Sequence, residues 1–201
     1  MKSRPAVIVL AAGTGSRFGA PGHKLMQHVG AFSLLGTTLR RVLSTHLPVV
    51  VVTTESLVDA ASHHVALRDV VVVPAVGTAT SQPLGMGYSI AMGVSARPHA
   101  SGWLVLPGDM PMVQPRTILA VAAALDHYPI AYAQYRGHRG HPVGFGAELY
   151  SELVRLSGDE GARRLIARYP AHGVEVNDPG VLIDVDTEAD LEQVRVAYAP
   201  G

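Results

Sequence analysis

Val7-Ile8-Val9-Leu10-Ala11-Ala12-Gly13-Thr14-Gly15-Ser16-Arg17-Phe18-Gly19 is the stretch that decides the fold, and Lys24 stands at the fifth position after its last glycine. Val7 to Leu10 is a continuous β-branched and apolar run. Such a run marks a strand buried on both faces, as in a parallel sheet. The glycines that follow let the backbone approach a ligand without Cβ clashes, and successive N–H groups can form an anion nest. Arg17 and Lys24 add cations, so Leu10 to Ser16 with these two side chains suits a triphosphate. The bland alternative is a strand-ending turn whose glycines only relieve strain. Two neighbouring motifs are excluded by spacing. In the dinucleotide fingerprint the third glycine would come one position earlier. A P-loop would need a hydroxyl after its lysine, where Leu25 stands.

Working outward, the chain alternates between strand and helix patterns. A loop runs from about Ala12 to Gly30. Leu34 to Thr45 is expected to be a helix, with Leu35, Leu39, Val42 and Leu43 on one face. Val49 to Val52 is a second buried strand, Leu57 to Ala66 a helix, and Val70 to Val73 a third strand. Leu84 to Ser95 reads as a helix, Trp103 to Leu106 as a strand, and Pro115 opens a helix through Leu125. This alternation predicts a Rossmann-like three-layer α/β/α fold, a mostly parallel sheet with helices on both faces. The pattern then changes: Ile130 to Arg136 and His141 to Phe145 flank Gly137-His138-Arg139-Gly140, a hairpin-like insertion. Short helices are expected over Ala147 to Leu156 and Glu160 to Tyr169, a strand near Val181 to Val185, and a last helix from Glu188 to Tyr198. No repeat or linker interrupts residues 1–201, which are read as a single domain.

Composition narrows the function classes. Hydrophobic residues make up 48% of the 201 and charged residues 16%, which is a globular balance. Lys plus Arg equals Asp plus Glu, at 16 each, so there is no basic excess to track a nucleic-acid backbone. The chain has no cysteine, which removes disulfides, cysteine-ligated zinc and thiol nucleophiles together. The apolar run Ala6 to Ala12 after Lys2 and Arg4 could be mistaken for a signal peptide. It is short for one and leads straight into the glycine loop, so it is read as the first strand. No segment approaches the ~20 apolar residues that span a bilayer. A cytoplasmic protein with no membrane or nucleic-acid partner is expected.

With these residues in view, the glycine loop resembles the signature L-A-A-G-x-S-x-R-M/F-G-x-x-K of the MobA-like nucleotidyltransferases, and within them the molybdenum cofactor cytidylyltransferases. Matching pieces continue in family order: Pro83 to Ile90, Gly108-Asp109-Met110-Pro111, Gly140-His141-Pro142-Val143, Gly158 to Arg163, and Asp184-Val185-Asp186-Thr187. The resemblance implies a nucleotidyltransferase fold that moves CMP from CTP to molybdopterin with magnesium, and a molybdoenzyme as possible recipient of the product. It casts Arg17, Lys24 and Asp109 as catalytic, and places Gln82 and Ser89 near base and sugar. It also places His141, Asp159 and Arg163 on the acceptor side. The chain departs from the family at Pro21-Gly22-His23, which displaces Lys24, so its loop must bulge if Lys24 is the family lysine. Ala11-Ala12 is the cytidylyltransferase form, whereas the guanine-using branch usually has glycine in the second position. Rival readings are GTP or a sugar-phosphate acceptor on the same fold, and a cofactor-binding module without turnover.

The acidic residues carry the metal question. Asp109 follows a buried strand, so it is expected at the carboxyl end of the sheet, where open α/β folds bind ligands. It is either a hard oxygen ligand for a cation or a cap near Pro115. Asp184 and Asp186 bracket Val185 on the expected strand, which would point both to one side. They either hold a divalent ion with Asp109 or cap the last helix, where negative charge is favourable. His63-His64 and the other histidines show no metal spacing.

Overall fold

The structure, a computed structural model, describes residues 3–13, 15, 18–19, 22–75, 85–158 and 162–198. Strands are β1 (Ala6–Ala11), β2 (His28–Val29), β3 (Phe32–Ser33), β4 (Val49–Thr53), β5 (Val70–Val72), β6 (Gly102–Pro107), β7 (Ile130–Tyr135), β8 (His138–Gly146) and β9 (Ala171–Glu175). Helices are α1 (Leu34–Leu43), α2 (Val58–Ser62), α3 (Gly85–Ser95), α4 (Pro115–Ala124), α5 (Tyr150–Leu153), α6 (Arg163–Arg168) and α7 (Glu188–Tyr198).

Among the described residues, seven strands form one sheet in the order β5-β4-β1-β6-β8-β7-β9, and β2 and β3 form a separate ribbon. β1 pairs in parallel with β4 on one side and β6 on the other. Strand order therefore reverses at β1, and the crevice beyond the carboxyl ends of β1 and β6 is where such a sheet accepts a ligand. β8 runs antiparallel to both β6 and β7. The Val and Leu runs explain the central strands. Val7, Val9, Val49, Val51, Leu104 and Leu106 face one core, with Leu35, Leu39 and Val42 of α1, Ile118 of α4 and Leu191 of α7. Ile8, Val50, Val52, Trp103 and Val105 face the other, with Ile90 and Val94 of α3, Leu153 of α5 and Leu165 of α6. Alternating side chains thus bury both faces, which gives the expected three layers. No helix among the described residues is long and apolar enough to cross a membrane.

Several local expectations need correction. Val181 to Val185 is not a strand: a 3-10 turn covers Pro179–Leu182, and an extended unpaired stretch leads to α7. Proline and glycine at the start of this segment favour the turn. The last strand of the sheet is instead β9, parallel to β7 at the edge. The hairpin turn is tighter than expected. Tyr135 pairs with His138, and Arg136 and Gly137 both have positive φ, 49° and 78°. That is the backbone of a two-residue type I′ turn. The helix expected over Leu57 to Ala66 is broken into a 3-10 turn and α2. Among the described residues, the helix expected from Glu160 begins at Arg163, and the one expected to Leu156 ends at Leu153.

Candidate active site

Backbone bonds place Asp109 beside the glycine loop. Gly108 N–H donates to the Leu10 carbonyl at 2.8 Å, and the Thr38 hydroxyl holds the Gly108 carbonyl at 2.9 Å. A Cβ on Gly108 would stand 3.0 Å from that Leu10 oxygen, so glycine is what lets the Asp109 turn reach β1. The Asp109 carbonyl in turn accepts from Val185 N–H at 3.1 Å, with Val185 fully buried. This one bond brings the Asp184–Asp186 segment to the same place.

Lys24 completes the cluster. Its Nζ lies 2.6 Å from Asp109 Oδ2 and 3.1 Å from Asp186 Oδ1, and the residue is only 8% exposed. The displacement that strains the family spacing does not carry Lys24 away from the aspartates. Gly22 takes a positive φ of 87°, and His23 caps the turn Lys24–Met26 by accepting from Leu25 N–H. Burial lowers the His23 pKa, a hydrogen bond to the Gly13 backbone opposes this, and the Lys24 charge lowers it again. At Gly15, φ is 62° and an added Cβ would lie 3.1 Å from the Lys24 Cβ, so only glycine fits between loop and lysine. A Cβ on Gly13 would meet nothing within 4 Å. Among the described residues no contact demands glycine there, as expected of a backbone left open to a ligand.

The two aspartates of the C-terminal segment have separate surroundings. Asp186 engages Lys24, whereas Asp184 is exposed and close enough to influence His141 electrostatically. The helix cap is made by other residues: Asp190 accepts from Asp186 N–H, Thr187 N–H and the Thr187 hydroxyl, and Thr187 accepts from Asp190 N–H. This reciprocal pair does the capping work and leaves the Asp186 carboxylate to the site.

A divalent cation fits this donor set. Among the described residues, two buried side-chain atoms lack a hydrogen-bond partner, Asp109 Oδ1 and His141 Nδ1. A buried carboxylate oxygen without a donor is costly, and a hard cation is its natural partner. Asp109 and Asp186 would hold the cation, although no group of three His, Asp or Glu side chains converges among the described residues.

A cleft of about 640 Å³ lies on the α3–α6 side, lined by Met86, Ile90, Arg139, His141, Phe145 and Arg163 among others. His141 and Arg163 thus share one cavity. Burial lowers the His141 pKa, against a hydrogen bond to the Val105 backbone and the charges of Asp109 and Asp184. Arg139, which sequence reasoning missed, lies over the Tyr132 ring at 4.4 Å. Its signal was weak, one arginine in a presumed turn. Ser89 is buried on α3, and Ala11 and Ala12 are buried at the end of β1. Thr14, Ser16, Arg17, Gln82 and Asp159 lie outside the described residues.

Comparison with known proteins accords with this geometry. The MobA-like NTP transferase domain matches residues 7–174. The GlmU bifunctional protein of Zymomonas mobilis is 30% identical over 61% of the chain and 27% of its own length. The purine catabolism protein PucB of Bacillus subtilis is 32% identical over 57% of the chain and 58% of its own. The chain therefore spans between about a quarter and three fifths of these curated relatives. Among solved structures, Rv0371c of Mycobacterium tuberculosis is 27% identical with a TM-score of 0.77, covering 98% of this chain and 100% of that one. Rv0371c has also been solved with manganese.

Proposed function

The chain belongs to the MobA-like NTP transferases, and from that premise we propose that it transfers CMP from CTP to molybdopterin-bound molybdenum cofactor, releasing pyrophosphate. The observation that carries the reading is the convergence of Asp109 and Asp186 on Lys24, next to Gly15 and beyond the carboxyl end of β1. Among the described residues this is a charge-neutralising site, and the reaction requires neither a nucleophile nor a base from the protein. The acceptor phosphate is largely ionised at neutral pH, its second pKa being about 6. Its oxygen attacks the α-phosphorus of CTP; that P–O bond forms as the bond to the β-phosphate oxygen breaks, and pyrophosphate leaves with its charge.

Catalysis is then positioning and electrostatics. Gly13 and Gly15 offer backbone to the triphosphate, with Lys24 and Arg17 as its cations. Asp109 and Asp186 would hold a divalent ion, magnesium in this reading, which supplies charge neutralisation to phosphate oxygens. Arg139, His141 and Arg163 line the acceptor cleft, whose apolar floor suits a ring system. The choice of CTP rests on Ala12, whose methyl crowds a larger base where the guanine-using branch has glycine. The molybdenum-cofactor acceptor rests on the family likeness of the segments around His141 and Arg163.

Pyrophosphate release tests the proposal, with CTP and GTP in equal amounts, isolated molybdenum cofactor and magnesium. The cytosine dinucleotide product is expected, and Ala12→Gly should narrow the preference without reversing it, because a methylene-sized change is worth about 1–3 kcal/mol. A guanine product from the wild type would remove CTP. Turnover only with a sugar phosphate would remove the acceptor and leave the transferase standing.

A further inference from the structure

A second cleft, of about 590 Å³, opens between α1, the β2–β3 ribbon and the end of α7. That is the size of a small-molecule site. None of its lining residues belongs to the Lys24 cluster or to the cleft around His141. Leu35, Leu39 and Val42 turn one side of α1 into the core, and Arg40 and Arg41 line the cleft from outside that core. Both guanidiniums are held on aromatic rings that line the same cleft. Arg40 lies over Phe32 at 4.2 Å, and Arg41 over Tyr198 at 5.6 Å. Arg41 is fixed further. Its Nε and Nη2 both donate to the Tyr198 hydroxyl, at 3.2 and 3.0 Å, and that hydroxyl donates to the carbonyl of Pro111, in the turn that carries Asp109. No carboxylate lines the cleft, and among the described residues neither arginine is ion-paired. The chain as a whole is neutral, with 16 basic and 16 acidic side chains, so this local excess of positive charge does not come from a generally basic surface.

We propose that this cleft binds a phosphate monoester with a small, flat apolar body. A phosphate dianion matches the charge of the two guanidiniums, and their planar N–H edges suit its oxygens. Holding each guanidinium on a ring removes beforehand part of the side-chain freedom that binding would otherwise cost. The body of the ligand rests on Val29, Pro115 and the open part of Phe32, a large apolar side chain left 38% exposed at the cleft. A monocarboxylate brings one charge to two cations and is held more weakly. The site is separate from the glycine loop and stands whether or not the group transferred there is CMP.

The test uses the full chain labelled with fluorophenylalanine, because its three phenylalanines stand at three different places. Phe18 follows the glycine loop, its N–H donating to the Gly15 carbonyl. Phe145 lines the cleft around His141, and Phe32 lines this one. Phe32→Leu and Phe18→Leu assign the ¹⁹F signals. Phenyl phosphate is titrated in at low salt, and phenol is titrated separately as the body without the anion. The Phe32 signal should move saturably with phenyl phosphate and stay in place with phenol at the same concentrations. Arg40→Gln should weaken phenyl phosphate binding at Phe32 by about five- to tenfold, the range of an ion pair at a solvent-facing guanidinium. Arg40→Lys, which keeps the charge without the planar fork, should weaken it less. Lys24→Met should leave the Phe32 response unchanged. Arg40 is exposed, so its variants leave the core intact. A response confined to Phe18 or Phe145, a Phe32 response to phenol equal to that with phenyl phosphate, or undiminished binding in Arg40→Gln overturns the proposal.

Discussion

Lys24→Met is the substitution with the most to reveal about the acidic site. Methionine keeps an unbranched stem against Gly15, so the loop contact at the Cβ survives. What disappears is one ammonium bonded to two carboxylates, at 2.6 and 3.1 Å. Hydrogen bonds to charged groups are worth about 1.5–3 kcal/mol each. The carboxylates are 18% and 22% exposed, so water recovers part of that loss. Two such bonds would sum to about 3–6 kcal/mol, and after that recovery a loss of about 2 kcal/mol of stability is expected. The sign reverses for a cation. In the wild type a divalent ion must displace or share the partners of Lys24; in the variant it meets the two carboxylates without the Lys24 charge. Calorimetric titration of manganese into nucleotide-free protein should therefore show affinity higher in Lys24→Met by one to two decades, about 1.4–2.8 kcal/mol. CTP binding, measured in parallel, should weaken, because Lys24 is also the triphosphate's cation in the proposed reaction. Manganese binding that is unchanged or weaker in the variant would refute the view that Lys24 and the metal share Asp109 and Asp186.

Three further outcomes follow from the same geometry. Asp109→Asn should abolish pyrophosphate release while thermal melting shows a folded protein; full activity in the folded variant would falsify its role. Gly140→Ala puts a Cβ 2.2 Å from the Val181 carbonyl oxygen, so overpacking should cost about 1–3 kcal/mol in urea unfolding and weaken acceptor binding. An unaltered unfolding midpoint would mean that the two backbones part without strain. The Asp190 pKa is lowered chiefly by the Thr187 hydroxyl, then by backbone N–H bonds. Its stabilising contribution is therefore present above the ordinary aspartate range and lost as pH falls through the depressed folded value. Asp190→Asn should melt below wild type at pH 7, with the gap closing in acid; a gap independent of pH would contradict this.

The parts of the fold legible in the sequence were those buried on both faces. Val7 to Leu10, Val49 to Val52 and Trp103 to Leu106 read as strands because both faces meet a helix layer, so no polar residue interrupts them. β9 was not legible. Ala171-His172-Gly173-Val174-Glu175 lies at an edge and is half-exposed, so no apolar run or alternation records it. At the site, Asp109 was legible from its place after a buried strand. The return of Lys24 was not, because it depends on the left-handed backbone at Gly22 and the cap His23 makes on the next turn. Asp178 shows the same limit. In sequence Asp178-Pro179-Gly180 is a turn; in the fold the carboxylate is 1% exposed and accepts from Gln114 N–H, the Thr117 hydroxyl and Gly180 N–H. Nothing local announces partners that far back in the chain.

The Val185–Asp109 hydrogen bond has a consequence for the order in which the site comes into being. Chains are made from the amino end, and segments fold as they emerge. The glycine loop, β1 and Asp109 all precede residue 174, where the family match stops, whereas Val185 and Asp186 come after it. A chain still on the ribosome, or one clipped after β9, lacks Val185 and Asp186 and so the second carboxylate on Lys24. In the proposed reaction, the segment after β9 is therefore what completes the cation site begun by Asp109.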